Sequence, residues 1–172
     1  MIARPSPRIF VSAGEPSGDL HGAGVVRALL ARFPDAAVEA LGGPLMAQAG
    51  ARLRYPMEGL AAFGLVEIVA KLGAHWRLLR ALRHDFRAGR YDLVILIDYP
   101  GFHVRVAEAA RAAGTKVLYY IAPQLWAWRP GRARRFAAAV DRLAVVLPFE
   151  QPFFGRLGLH SDYVGHPLVD RG

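Results

Sequence analysis

Three features of the 172-residue chain predict an α/β fold, a single Rossmann-like three-layer α/β/α domain with a mostly parallel sheet. Short β-branched apolar runs alternate with segments of helical periodicity, the pattern of a parallel sheet covered on both faces. Gly89, Gly114 and Gly158 follow helical segments where a left-handed C′ residue is wanted. A chain of this length with 53% hydrophobic content fills one core.

The strands expected are Arg8 to Ser12, Ala37 to Leu41, Leu93 to Ile97, Lys116 to Ile121, Arg142 to Val146 and Ser161 to Val164. The first, with Ile9, Phe10 and Val11, has the apolar composition of a strand buried on both faces. The helices expected are Gly18 to Phe33, a short one from Pro44 to Ala49, His75 to Ala88, Val104 to Ala113, Arg129 to Ala139 and Glu150 to Leu157. In the first helix Leu20, Val25, Leu29, Leu30 and Phe33 recur at roughly helical spacing, with Ser17 or Asp19 available as N-cap. Residues 1–164 read as the domain, and 165–172, beginning Gly165-His166-Pro167, as the start of a connection.

Bulk properties exclude several classes. The chain has no cysteine, which removes disulfides, thiolate zinc sites and cysteine nucleophiles and agrees with a reducing compartment. No apolar leader and no apolar run of membrane-spanning length is visible. His103 and His166 are isolated, so no metal is expected, and Ser12 and Ser17 lie outside any G-x-S-x-G context, which argues against a hydrolase. The formal net charge is +8, concentrated in Lys71 to Arg90 and in Arg129, Arg132, Arg134 and Arg135.

The octet Ser12-Ala13-Gly14-Glu15-Pro16-Ser17-Gly18-Asp19 joins a strand to a helix N-terminus, where open α/β sheets hold ligands. Its glycine spacing is not the dinucleotide fingerprint, and Glu15 and Asp19 would repel a pyrophosphate. Those carboxylates suit a sugar hydroxyl or proton transfer. Asp98 ends a buried strand, either as a general base made more basic by burial or as a cap for the helix after Pro100. Gln124, Trp126, Trp128 and Arg129 share one loop, whose indoles suit sugar rings or acyl chains unless they close the core's edge. Leu72, Trp76, Leu79, Leu82 and Phe86 form one stripe flanked by Arg77, Arg80 and Arg83. That is the composition of an interfacial helix on an anionic membrane, or of an ordinary helix packed on the sheet.

Read in order, the octet, Leu41-Gly42-Gly43-Pro44 with Met46, Gly64-Leu65-Val66-Glu67, Asp98 with Pro100 and Phe102, Pro123 to Arg129, Leu147 to Glu150 and Gly165-His166-Pro167 resemble the lipid-A-disaccharide synthase family over nearly the whole chain. The resemblance implies the N-terminal, acceptor-side half of a two-Rossmann-domain GT-B glycosyltransferase. Its reaction would join 2,3-diacylglucosamine from its UDP derivative to 2,3-diacylglucosamine 1-phosphate, without metal or cofactor. Asp98 matches the family's strand-end aspartate and is the first candidate base, with Glu15 and Asp19 as runners-up or acceptor ligands. Ser12, Gly14, Ser17, Gly18, Gln124, Trp126, Trp128 and Arg129 would bind substrate. Leu65, Val66, Leu72, Trp76, Arg77, Leu79, Arg80 and Arg83 would meet acyl chains and the anionic cytoplasmic face of the inner membrane.

The chain departs from the family pattern at Phe63, usually methionine, and His103, usually asparagine, which puts an amide hydrogen bond there in question. A UDP-binding domain is expected to be missing, so this chain alone should not complete transfer. The rival reading is a non-catalytic basic module on anionic membrane or nucleic acid. Nucleic acid is not the expected partner, because no exposed sheet with interleaved aromatics is evident.

Overall fold

The computed structural model describes residues 6–58, 60, 65–124 and 130–167, with backbone alone for 65–69. Seven strands form one sheet: β1 (Arg8–Ala13), β2 (Ala37–Gly42), β3 (Arg52–Pro56), β4 (Leu93–Ile97), β5 (Lys116–Tyr120), β6 (Arg142–Val145) and β7 (Ser161–Tyr163). Their order is β3-β2-β1-β4-β5-β6-β7, and every pairing is parallel. The helices are α1 (Pro16–Arg32), α2 (Pro44–Gln48), α3 (Leu65–Arg87), α4 (Pro100–Ala112), α5 (Pro130–Ala139) and α6 (Glu150–Arg156).

Strand alternation divides the core in two. Ile9, Val11 and Ala13 of β1 and Ile95 and Ile97 of β4 face α1 and α2, meeting Ala23, Val26 and Met46. Phe10, Val94 and Leu96 face the other way, onto Leu79, Leu82 and Phe86 of α3 and Phe102 and Val106 of α4. Ser12 shares the parity of Phe10, which aims its side chain at α4.

Four expectations change, the first being α4, which begins at Pro100 rather than Val104 because proline is pre-organised for the first helical turn. The strand β3 was not expected: its Arg-Leu-Arg-Tyr-Pro sequence is polar because it pairs only with β2, at the sheet's edge, and its register slips midway, between Ala40 and Leu41 of β2. Helix α3 begins at Leu65, ten residues before the predicted His75, because Leu65-Val66-Glu67-Ile68-Val69-Ala70 is apolar but for one residue and so carries no amphipathic helical period. The N-cap of α1 is Glu15, with no side-chain bond, rather than Ser17 or Asp19; Pro16 occupies the first helical turn, where a missing N–H costs nothing. Gly89, Gly114 and Gly158 do adopt φ values of +65°, +80° and +75°.

Candidate functional site

The sheet reverses its strand order at β1, whose neighbours are β2 and β4. Such a switch point opens a crevice at the carboxyl ends of the strands. Ala13 pairs with Ile97, so Gly14 and Glu15 emerge beside Asp98 and Tyr99. A cavity of about 490 Å³ lies there, lined by Glu15 and Asp98 from the strand ends, Lys71, Leu72, His75 and Trp76 from α3, and Phe102 and Arg105 from α4.

Asp98 and Tyr99 both have left-handed backbone, with φ of 47° and 52°. Aspartate tolerates this conformation, but tyrosine before proline ordinarily prefers extended backbone. The surroundings hold the turn in place. The Asp98 N–H donates to the Tyr120 carbonyl at 3.0 Å. The Asp98 carbonyl accepts from the Tyr119 hydroxyl and, at 2.7 Å, from His103 Nδ1. Because that carbonyl can only accept, Nδ1 carries the hydrogen. Neutral His103 then accepts at Nε2 from the Ser12 hydroxyl, 2.8 Å away. Complete burial pushes the His103 pKa down to about 4, which keeps the ring neutral, while the Asp98 carbonyl selects the tautomer. A histidine ring thus presents one donor and one acceptor, the two functions an asparagine amide also offers.

Tyr99 reaches back across the crevice. Its hydroxyl donates to His75 Nε2 at 2.9 Å, since His75 Nδ1 is committed to the Lys71 carbonyl at 2.7 Å. The Tyr99 ring lies over Gly14, where a Cβ would come within 2.3 Å of its Cδ1. The glycine is required by close approach, not by its φ.

The Asp98 carboxyl is half-buried, and desolvation raises its pKa; the Tyr99 N–H and the charge of His21 oppose the rise. A strained, desolvated carboxylate at a switch point is suited to accepting a proton from a bound hydroxyl. The alternative role of helix cap falls to Tyr99, which occupies the N-cap position of α4.

The other expected site residues separate. Glu15 and Ser17 are exposed at the start of α1. Gly18 is buried, and a Cβ there would sit 3.0 Å from Ala13 Cβ. Ser12 is 0% exposed, so its hydroxyl meets His103 rather than a ligand. Asp19 is 2% exposed and points away from Asp98. Its carboxylate accepts from the backbone N–H groups of Gly43, Leu45 and Met46 at 2.8–3.2 Å, which satisfies the start of α2 and ties it to α1. We assign Asp19 this structural task in place of proton transfer. Gln124 is exposed and does not line the cavity. Trp126, Trp128 and Arg129 lie outside the described residues, as do Phe63 and the side chains of Leu65 and Val66.

Helix α3 resolves the expected stripe into two parts. Leu79, Leu82 and Phe86 are core residues, so Leu79 is a cavity wall and core residue rather than a surface contact. Leu72 and Trp76 are 65% and 59% exposed at the cavity mouth. Along the helix surface the same ridge continues as exposed Arg80, Arg83 and Arg87, with Arg77 beside it. Lys71, His75, Tyr99 and Arg105 were not singled out for the site, because nothing in their local sequence says that α3 and α4 converge on Asp98.

A family model described as Lipid-A-disaccharide synthetase matches residues 9–172. The chain belongs to this family. It is 47% identical over 171 residues to the lipid-A-disaccharide synthase of Geobacter sulfurreducens, covering 99% of this chain and 44% of the relative. The enzyme of Geobacter metallireducens is 46% identical with the same coverage, and that of Alkalilimnicola ehrlichii is 43% identical over 164 residues. The chain therefore spans less than half the length of these curated relatives. Among solved structures, the UDP-GlcNAc 2-epimerase of Neisseria meningitidis superposes with a TM-score of 0.65 at 11% identity, over 95% of this chain and 47% of that one. That likeness establishes the fold. Within the lipid-A-disaccharide synthetase family pattern, the octet and the Asp98 motif are the two segments that the β1–β4 pairing brings together.

No helix among the described residues is long and apolar enough to cross a membrane, and no group of three His, Asp or Glu among them could hold a metal ion.

Proposed function

We propose that this chain forms the acceptor-binding side of a lipid-A-disaccharide synthase, in which Asp98 is the general base. The acceptor, 2,3-diacylglucosamine 1-phosphate, presents its 6-hydroxyl to Asp98. The carboxylate takes the hydroxyl proton as the oxygen bonds to the donor's anomeric carbon, and the bond from that carbon to UDP breaks with inversion. The products are the β-1′,6-linked disaccharide 1-phosphate and UDP. Residues 1–164 carry the acceptor side, 165–172 begin the connection, and UDP binds in the part of the relatives beyond this match.

The observation that carries the reading is the cavity at β1 and β4, where a desolvated Asp98 faces the same space as the exposed Leu72 and Trp76. A lipid-linked sugar needs both: a base at the sugar and an apolar exit for its acyl chains. The adjoining arginines of α3 would hold the protein on anionic phospholipid, giving a peripheral protein on the cytoplasmic face of the inner membrane. Gly14 shapes this cavity through Tyr99, while Ser17, Gly18, Gln124, Trp126, Trp128 and Arg129 remain proposed contributors to substrate binding.

The test grafts this chain in place of the matching segment of the Geobacter sulfurreducens relative and measures disaccharide formation. Asp98→Asn should bind acceptor with unchanged affinity and lose at least about 100-fold in turnover. Near-normal turnover would move the base to Glu15.

A further inference from the structure

Apart from its carboxylates, the cavity holds two cations that the proposed proton transfer does not use. Lys71 projects from α3, with Nζ 5.8 Å from the centre of the Tyr99 ring, and Arg105 projects from the second turn of α4. Neither side chain makes a hydrogen bond or ion pair among the described residues. The nearest acidic candidate for Arg105, Glu108, is instead held by both Nε and Nη2 of Arg135, the latter at 2.8 Å. Arg105 therefore has a guanidinium available at the cavity wall, with its carboxylate neighbour engaged elsewhere.

A second cavity of about 320 Å³ adjoins the first, sharing Pro100, Gly101 and Arg105, and adds Arg132 and Arg135 to its walls without any carboxylate. The site thus runs from the carboxylates of Glu15 and Asp98 at the strand ends to Arg105 of α4, where it adjoins Arg132 and the Glu108-paired Arg135 of α5. A ligand matched to this arrangement carries a neutral hydroxyl at one end and an anion within one sugar's reach of it.

We infer that Lys71 and Arg105 form a phosphate-monoester subsite that holds the anomeric phosphate of the acceptor sugar while Asp98 receives its 6-hydroxyl. The inference rests on the acceptor reading above. In a pyranose, C5, which bears the 6-hydroxymethyl, and the anomeric carbon flank the ring oxygen. Anchoring the phosphate therefore restricts where the 6-hydroxyl can fall, and cations lining the same cavity as the base are the required arrangement. Arginine suits phosphate through paired N–H donors, and lysine adds a mobile point charge. The acyl chains then leave past Leu72 and Trp76. Phosphate of a membrane lipid headgroup has the same chemistry, so the test separates the two sources.

The 172-residue chain is titrated by NMR with glucosamine 1-phosphate, glucosamine and inorganic phosphate. The phosphate-bearing ligands should shift the Arg105 side-chain N–H and Tyr99 signals, glucosamine alone should not, and Arg105→Gln or Lys71→Gln should weaken the response about tenfold. In the grafted enzyme, an acceptor lacking the 1-phosphate should lose about 10- to 100-fold in kcat/KM. Arg105→Gln should cost a similar factor on the phosphorylated acceptor and little on the dephosphorylated one, in neutral and anionic vesicles alike. Equal losses on both acceptors, or a loss confined to anionic vesicles, would overturn the inference, as would equal binding of glucosamine and its 1-phosphate. A grafted enzyme that transfers nothing, beside an Arg105-dependent glucosamine 1-phosphate response, would instead sink the transferase reading and leave the subsite standing.

Discussion

Ser12 Oγ lies 2.8 Å from His103 Nε2, and this buried contact couples the end of β1 to the first turn of α4. His103 passes the coupling on through Nδ1 to the Asp98 carbonyl. A serine from the opening octet therefore positions the aspartate of a different motif through its backbone.

Removing the Ser12 hydroxyl leaves a buried imidazole nitrogen without a donor. Ser12→Ala should destabilise the fold by about 1–3 kcal/mol, read by urea unfolding. His103→Asn, which keeps a donor and an acceptor, should lose less than His103→Ala. The pH dependence has a definite sign. The folded-state pKa of His103 is about 4, below its ordinary 6.5. The unfolded chain thus binds more protons in that window, so the contribution of neutral His103 is complete above about 6.5 and is lost as pH falls toward 4. His103→Asn should flatten the stability profile between these values.

Asp98 carries the opposite sign. Burial raises its pKa above the ordinary 3.8, so the folded state favours the protonated form. Its stabilising contribution is present below about 3.8 and lost as pH rises through the raised value. Asp98→Asn should therefore raise the melting temperature of this chain at neutral pH, and in the grafted enzyme the same change should lower turnover by at least about 100-fold. A lowered melting temperature would contradict the placement of the carboxyl.

Gly14 and Tyr99 cannot both keep their positions if Gly14 gains a methyl group. Gly14→Ala should cost about 1–3 kcal/mol in thermal unfolding. Adding Tyr99→Ala should recover part of that loss, since the clash partner is gone.

The two parts of α3 should respond differently to truncation. Leu79→Ala should destabilise by about 2–5 kcal/mol, because Leu79 is 4% exposed in the core. Leu72→Ala and Trp76→Ala should leave unfolding midpoints nearly unchanged yet weaken flotation with anionic vesicles. Equal effects on stability at all three positions would contradict the division.

The sheet was largely legible from sequence because parallel strands buried on both faces are written as apolar runs, as in Leu93 to Ile97. Edge strand β3 was not, since Arg52, Arg54 and Pro56 lack that signature. Likewise, Leu72 and Trp76 belong to the same periodic stripe as Leu79, and periodicity alone cannot tell where a helix passes beyond the core. Asp19 and Asp98 looked alike as carboxylates near strand ends. Three backbone N–H donors occupy the first, and desolvation acts on the second.

By itself the sequence determined the alternating α/β order, the strand ends that carry carboxylates and the ordered motifs of the family, because these are local patterns of composition and spacing. Only the tertiary structure decided which of those residues share a cavity. The β1–β4 pairing sets Gly14 and Glu15 beside Asp98, and the packing of α3 against α4 adds Lys71, His75 and Arg105. Those contacts span dozens of residues, and long-range packing assigns each buried polar group its partner in ways that local spacing does not encode.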